Sequence, residues 1–259
     1  MNGPAGHRHR AVPRDWDAGR YDRLSGPQAR WGGDVLGRLP LVGDETVLDA
    51  GCGSGRVTKQ LLERLPEGRV IALDGSPAML ASAAQGLARF GDRVSFVQAD
   101  LAAPLPFAAA SVDAILSTAT FHWIGRHQAL FRRLAAVLRP GGRLVAQCGG
   151  RGNIASVLRA IRASGEPGPH PWTFADPAAT RRRLEAAGFT GVETWLNAEP
   201  TPLEPGEPLR GFLRTVILGP YLDRMPPSQH DAFVEAVASK LPRAEIDYVR
   251  LNIVATRAR

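Results

Sequence analysis

Cysteine and lysine are scarce in this chain of 259 residues. Two cysteines, Cys52 and Cys148, cannot build a disulfide framework or a thiolate zinc site. Lys59 and Lys240 are the only lysines among 32 basic residues, so arginine carries the formal charge of +7. Those arginines are scattered, apart from Arg181-Arg182-Arg183, which a solvated helix face accounts for; no nucleic-acid partner is expected. No apolar run approaches the roughly 20 residues that cross a bilayer, so no membrane partner is expected. Met1 to Arg14 lack the apolar core of a signal peptide. Residues 1–15 are read as a disordered leader and the protein as cytoplasmic; His7 and His9 fall in that leader and are read as solvated.

What is present is an ordinary globular composition, 44% hydrophobic and 22% charged. The most informative stretch is Val47-Leu48-Asp49-Ala50-Gly51-Cys52-Gly53-Ser54-Gly55, followed by a helical segment from Arg56. Glycines at every second position let backbone approach a ligand, and a helix N-terminus offers free N–H groups. A dinucleotide turn requires Gly or Ala at the sixth position, to pack helix against strand. Counted from Gly51, that position holds Arg56.

Strands and helices alternate beyond this turn, which predicts an α/β chain with a mostly parallel sheet covered on both faces. Strands are expected at Thr46–Ala50, Arg69–Asp74, Arg93–Gln98, Val112–Leu116, Arg143–Cys148, Gly191–Asn197 and Ile246–Ala255. Ser76 and Pro77 mark a helix start, and Pro140-Gly141-Gly142 a helix stop after Leu138. A helix is expected over Asp176–Ala187, a Pro-rich linker over Glu199–Pro208, and two helices at Leu209–Leu222 and Ser228–Leu241. Residues 206–241 are read as a helical cover over the strand C-termini, where open α/β sheets bind ligands.

Asp74 closes the second strand, where a carboxylate can accept from both ribose hydroxyls of an adenosine. Asp100 follows the third strand and suits an adenine amino group, and Met79 suits the adenine face.

The acidic-x-Gly-x-Gly-x-Gly turn, with Asp74, Asp100 and Pro140-Gly141-Gly142-Arg143-Leu144, resembles class I S-adenosylmethionine-dependent methyltransferases over roughly Tyr21 to Ala146. The resemblance implies a Rossmann-like, doubly wound, seven-stranded, mostly parallel sheet with a final antiparallel hairpin. It implies S-adenosylmethionine as cofactor and S-adenosylhomocysteine as product. The implied cofactor-binding residues are Asp49, Gly51, Gly53, Asp74, Gly75, Met79, Asp100, Leu101 and Ser117, joined by Tyr21 and Gln28 in an N-terminal cover over residues 16–40. Residues 16–259 are then one methyltransferase domain, monomeric or homodimeric.

Trp16, Tyr21, Phe121-His122-Trp123 and Gly152-Asn153 are similar to small-molecule enzymes of the trans-aconitate methyltransferase type. These motifs carry no recognisable carboxylate-binding residue. His122 and Trp123 are the candidate catalytic residues, His122 as general base or as a hydrogen-bond donor orienting the acceptor, Trp123 as a pocket wall. His170 and Trp172 are further candidates for the acceptor side. Ser117-Thr118-Ala119-Thr120 replaces the Asn/Asp-Pro-Pro-Tyr/Phe sequence of base-modifying amino-methyltransferases, and Ser117 stands where metal-dependent relatives carry an acidic ligand. No catalytic metal is expected. The acceptor is read as a small molecule methylated on oxygen, a carboxylate or hydroxyl; nitrogen or carbon acceptors and a non-catalytic cofactor-binding protein stay open, and an NAD-linked oxidoreductase is disfavoured by Arg56.

Overall fold

The computed structural model describes Asp15, Gly19, residues 26–165 and residues 168–259, with the side chains of residues 26–30 left out. Tyr21 and Trp16 lie outside the described residues, as do residues 1–14 and the side chain of Gln28.

Seven strands form one sheet: β1 Thr46–Ala50, β2 Arg69–Asp74, β3 Val94–Gln98, β4 Val112–Thr118, β5 Leu138–Gly149, β6 Phe189–Pro202 and β7 Glu245–Arg257. Their order is β3-β2-β1-β4-β5-β7-β6. The first five run parallel, and β7 lies antiparallel between β5 and β6. This is the expected sheet with its final antiparallel hairpin. Between β1 and β4 the winding reverses, which opens a crevice at the C-terminal ends of those two strands.

The central strands are apolar on both faces because helices cover both. Val47, Leu48 and Ala50 of β1 are fully buried, as are Ile115 and Leu116 of β4. One face packs α1 (Gly26–Gly37) and α2 (Arg56–Glu63) through Val35, Leu36, Leu61 and Leu62. Leu130, Phe131 and Leu134 of α4 (His127–Val137) pack on the other, with Leu184 of α6 (Pro177–Glu185). The chain between β2 and β3 holds α3 (Pro77–Leu87), whose start follows the sequence: Ser76 Oγ accepts from the Met79 N–H at 3.2 Å, with Pro77 at the first position.

Several boundaries differ from the sequence reading. Leu138, expected at the end of a helix, opens β5. Glu199 to Pro202, expected in a linker, continue β6. Pro200 and Pro202 are tolerated because β6 is an edge strand, where a missing N–H can face away from the ladder. The expected helix Leu209–Leu222 is divided into α7 (Glu207–Phe212), a π turn (Leu213–Ile217) and α8 (Gly219–Leu222). In that turn the Leu218 N–H reaches back five residues to the Leu213 carbonyl at 2.7 Å. A 3₁₀ turn at Pro227–Gln229 precedes α9 (His230–Ala238). Helix α5 (Ala155–Ala163) was not foreseen from the sequence. No helix of the described residues is long and apolar enough to cross a membrane.

Candidate active site

The crevice at the β1/β4 reversal is the mouth of a cavity of about 810 Å³, within the range of roughly 300–1,000 Å³ usual for small-molecule sites. One end is the Gly-rich turn. Gly51 and Cys52 both donate to the Leu73 carbonyl, at 2.8 and 2.9 Å, which pins the turn to β2. Gly51 has φ +87°, and a Cβ there would meet Thr120 Oγ1 at 2.2 Å, so only glycine fits. Gly53, at φ +55°, has nothing within 4 Å of an added Cβ: it lines the cavity.

Asp74 closes β2 beside this turn. Its Oδ2 accepts from the Gly53 N–H and its Oδ1 from the Ser76 N–H, each at 2.9 Å. Burial raises its pKa, while the N–H groups of Ser76, Gly53 and Gly75 hold it back. Gly75, Met79, Asp100 and Leu101 line the same end, and Asp100 Oδ1 accepts from the Ala102 N–H at 2.8 Å. Asp15 reaches the same rim, its Oδ1 accepting from the Ser76 hydroxyl at 2.5 Å.

Asp49 and Ser117 stand behind this lining rather than in it. Ser117 Oγ donates to the Ala50 carbonyl at 2.6 Å and ties β4 to β1. Asp49 is buried against α2, where Thr58 Oγ1 donates to its Oδ2 at 2.7 Å. Its Oδ1 is buried without a hydrogen-bond partner. Desolvation raises the Asp49 pKa to about 7; the Thr58 hydroxyl opposes this and the Asp74 charge adds to it. Cys52 is buried beside these carboxylates, and its thiol is pushed far above its ordinary pKa.

The opposite end of the cavity is aromatic. Phe121–Trp123 form a 3₁₀ turn after β4. Residues 170–174 pass beside it, with the Thr173 N–H donating to the His122 carbonyl at 2.7 Å. Trp172 and Phe174 line the cavity; His170 is exposed and stacks on both without lining it. His122 is buried, and its Nδ1 faces the Gly149 N–H at 3.3 Å. A backbone N–H can only donate, so Nδ1 is the acceptor and the ring proton is assigned to Nε2. Burial lowers the His122 pKa well below its ordinary value, and the charges of Arg250 and His127 push the same way. The imidazole is therefore neutral, with Nε2–H as its free donor.

Sequence reasoning missed Arg250, Tyr248, Ile217 and Arg224, which also line the cavity. Arg250, on β7 opposite Gly149, is only 3% exposed. Its guanidinium lies over Trp31 at 4.6 Å from the ring centroid, and its Nε donates to Gln147 Oε1 at 3.3 Å. The signal available was a charged residue inside an apolar alternation, sharing a strand face with Tyr248 and Asn252. Among the described residues, no group of three His, Cys, Asp or Glu side chains gathers to hold a metal ion.

A Gly-rich turn at a sheet reversal, an acidic residue closing the next strand and one cavity running from them to an aromatic far end are the parts that an S-adenosylmethionine-dependent methyltransferase of class I needs. A family model described as a methyltransferase domain matches residues 47–142. The chain is 33% identical over 264 residues to trans-aconitate 2-methyltransferase of Methylobacterium nodulans, covering 95% of this chain and 99% of that protein. It is 32% identical over 259 residues to the enzyme of the same name from Azoarcus sp., covering 93% and 99%. Its fold matches phosphoethanolamine N-methyltransferase 2 of Haemonchus contortus, solved with S-adenosyl-L-methionine, at a TM-score of 0.65 and 20% identity, over 93% of this chain and 57% of that one. The chain belongs to the class I S-adenosylmethionine-dependent methyltransferases, in one family with these trans-aconitate 2-methyltransferases.

Proposed function

We propose that this enzyme methylates a carboxylate oxygen of a small organic acid in the cytoplasm, with trans-aconitate, for which its relatives are named, as the first acceptor to test. The observation that carries an acid acceptor is Arg250. A guanidinium buried in the chamber beyond the Gly-rich turn favours an anionic partner, and its planar fork matches a carboxylate.

The residues around the turn suit the cofactor. The open face of Gly53 and the carboxylate of Asp74, fixed by two backbone N–H groups, would hold the adenosyl ribose. Asp100 would take the adenine amino group, with Met79 and Leu101 against the ring. When bound, S-adenosylmethionine supplies an activated methyl: the acceptor lone pair forms the new bond to carbon, the carbon–sulfur pair stays on sulfur, and S-adenosylhomocysteine is the product. The protein's share is positioning and exclusion of water. His122 Nε2–H would donate to an acceptor oxygen, with Trp123 as a wall. A carboxylate is already anionic, so no general base is required.

The test is turnover on a panel of carboxylic acids, phenols and amines, read as methylated product and S-adenosylhomocysteine. Methyl esters of acids are expected. Product confined to phenols or amines would refute the reading.

A further inference from the structure

Asn153 stands in the tight turn between β5 and α5, 3% exposed and part of the cavity lining. The turn is held on both sides of it. The Asn153 N–H donates to the Gly150 carbonyl and the Ile154 N–H to the Asp247 carbonyl, each at 3.0 Å. Gly152 has φ +86° and Ile154 has φ +50°. A β-branched residue rarely adopts a left-handed φ, and such strain gathers at ligand sites, where the surroundings enforce it.

Two backbone N–H groups orient two side chains here. The Val249 N–H donates to Asn153 Oδ1 at 2.9 Å. A backbone N–H can only donate, so that tip is the oxygen and the other is the amide nitrogen. The Gly149 N–H fixes His122 in the same way, through Nδ1. Both side chains pack about Gly149. A Cβ on that glycine would lie 2.9 Å from Asn153 Nδ2 and 2.7 Å from Phe174 Cε1, so only glycine leaves them room. What the pair has left to offer is N–H: two on Asn153 Nδ2 and one on His122 Nε2. Neither nitrogen is hydrogen-bonded within the described residues, and neither is shut in by packing, so both open on the cavity that their residues line.

We infer that Asn153 binds the acceptor directly: its amide and His122 Nε2–H form a two-donor cradle for an oxygen that bears lone pairs and no proton. A carboxylate oxygen meets that condition. An alcohol or an ammonium brings a proton that neither donor can accept. The inference rests on the carboxylate reading above and assigns to it a recognition residue. Gripped at one oxygen, the carboxylate presents the other, whose lone pair forms the new bond to carbon; no proton moves. The acceptor loses its charge as the ester forms, so both charge-assisted bonds weaken and the product is released.

The experiment measures the KM of trans-aconitate at saturating S-adenosylmethionine and pH 8 for the full chain and for Asn153→Asp and Asn153→Ala; where the panel turns over another acid faster, that acid is used. Asn153→Asp keeps an oxygen for the Val249 N–H and replaces the donor by a like charge, so its KM should rise by about a hundredfold or more. Asn153→Ala should raise the KM by about tenfold or more, the loss of a hydrogen bond to a charged group. S-adenosylhomocysteine affinity should be unchanged in both, which also reports that they are folded. A residue that only braces the Val249 N–H gives a different pattern: a lowered Tm in Asn153→Ala, with Asn153→Asp at the wild-type KM. That pattern, or an unchanged KM in both variants, overturns the inference and leaves the carboxylate reading standing. If Asn153→Asp does not fold, Asn153→Ala decides alone: with S-adenosylhomocysteine affinity intact, the raised KM supports the inference and an unchanged KM overturns it. Methylation confined to phenols or amines overturns both readings.

Discussion

Gly149 donates its backbone N–H to Nδ1 of His122 across 3.3 Å, and this bond fixes which nitrogen of the imidazole meets a ligand. His122 was a candidate base or a candidate donor on sequence grounds. With Nδ1 occupied by a donor and the ring held neutral by burial, the geometry favours the donor role. Turnover should then be flat from about pH 6.5, the ordinary histidine value, up to pH 9. His122→Gln, which keeps an N–H at similar reach, should stay within about tenfold of wild type. His122→Ala should lose about ten- to a hundredfold, matching about 1.5–3 kcal/mol for a hydrogen bond to a charged group. A rate that rises with pH through neutrality would return the residue to base catalysis. Stability carries the matching sign: because the folded pKa is depressed, the contribution is present above the unfolded value and lost as pH falls below it. His122→Gln should flatten that acid limb in thermal melts.

Asp74 ends β2 with both carboxylate oxygens engaged by backbone N–H groups, so its orientation is set before any ligand arrives. Loss of a hydrogen bond to a charged group costs about 1.5–3 kcal/mol. Asp74→Ala should weaken S-adenosylhomocysteine binding by more than about tenfold in calorimetry. Unchanged affinity in a folded variant would remove Asp74 from the cofactor site.

The Gly-rich end of the cavity was legible because its signals are local. Gly51 and Gly53 are dictated by the turn's own backbone, and Asp74 and Ser76 by a strand end and a helix cap a few residues apart. The aromatic end is assembled from distant segments. Helix α5 has no capping residue of its own: Ile154 precedes it with φ +50°, and the cap comes from Asp247 on β7, which accepts from the Ser156 N–H at 2.8 Å. Nothing near position 155 announces that partner. Arg250 read as one polar residue in an alternating strand; only the pairing of β7 with β5 brings it to Gly149 and the chamber. The edge position of β6, which admits Pro200 and Pro202, is likewise a fact of sheet order.

Asp49 offers a pH test of the turn. Its folded pKa, raised to about 7 by burial, exceeds the unfolded value near 3.8. The folded state therefore binds the extra proton: the contribution to stability is fully present below about pH 4 and is lost as pH rises through 7. Asp49→Asn keeps an oxygen for the Thr58 hydroxyl and cannot ionise. Its Tm relative to wild type should be higher at pH 8 than at pH 4, by several degrees at about 2–4 °C per kcal/mol. A difference independent of pH would show that Asp49 is not the titrating group.

The segment Leu209 to Leu241 contributes Val216, Ile217 and Pro220 to the chamber and contains a π turn, a local departure often found at functional sites. If it closes over the acceptor, cofactor and acid together should slow amide exchange there more than in the sheet. Identical exchange with and without ligands would leave the segment as static packing.

Arg250 separates recognition from architecture. It lies on Trp31 and donates to Gln147, so it braces β7 against β5 and α1 as well as facing the cavity. Arg250→Met preserves the length and much of the apolar stem but removes the charge. If the guanidinium binds the acceptor carboxylate, Arg250→Met should raise the KM for an acid acceptor by about ten- to a hundredfold, matching about 1.5–3 kcal/mol for a charged hydrogen bond. S-adenosylhomocysteine affinity should stay unchanged. Arg250→Lys should recover only part of the loss, because an ammonium supplies a point charge and not a two-pronged fork. A purely architectural Arg250 gives the opposite pattern: a lowered Tm in both variants, with the KM of the acid untouched.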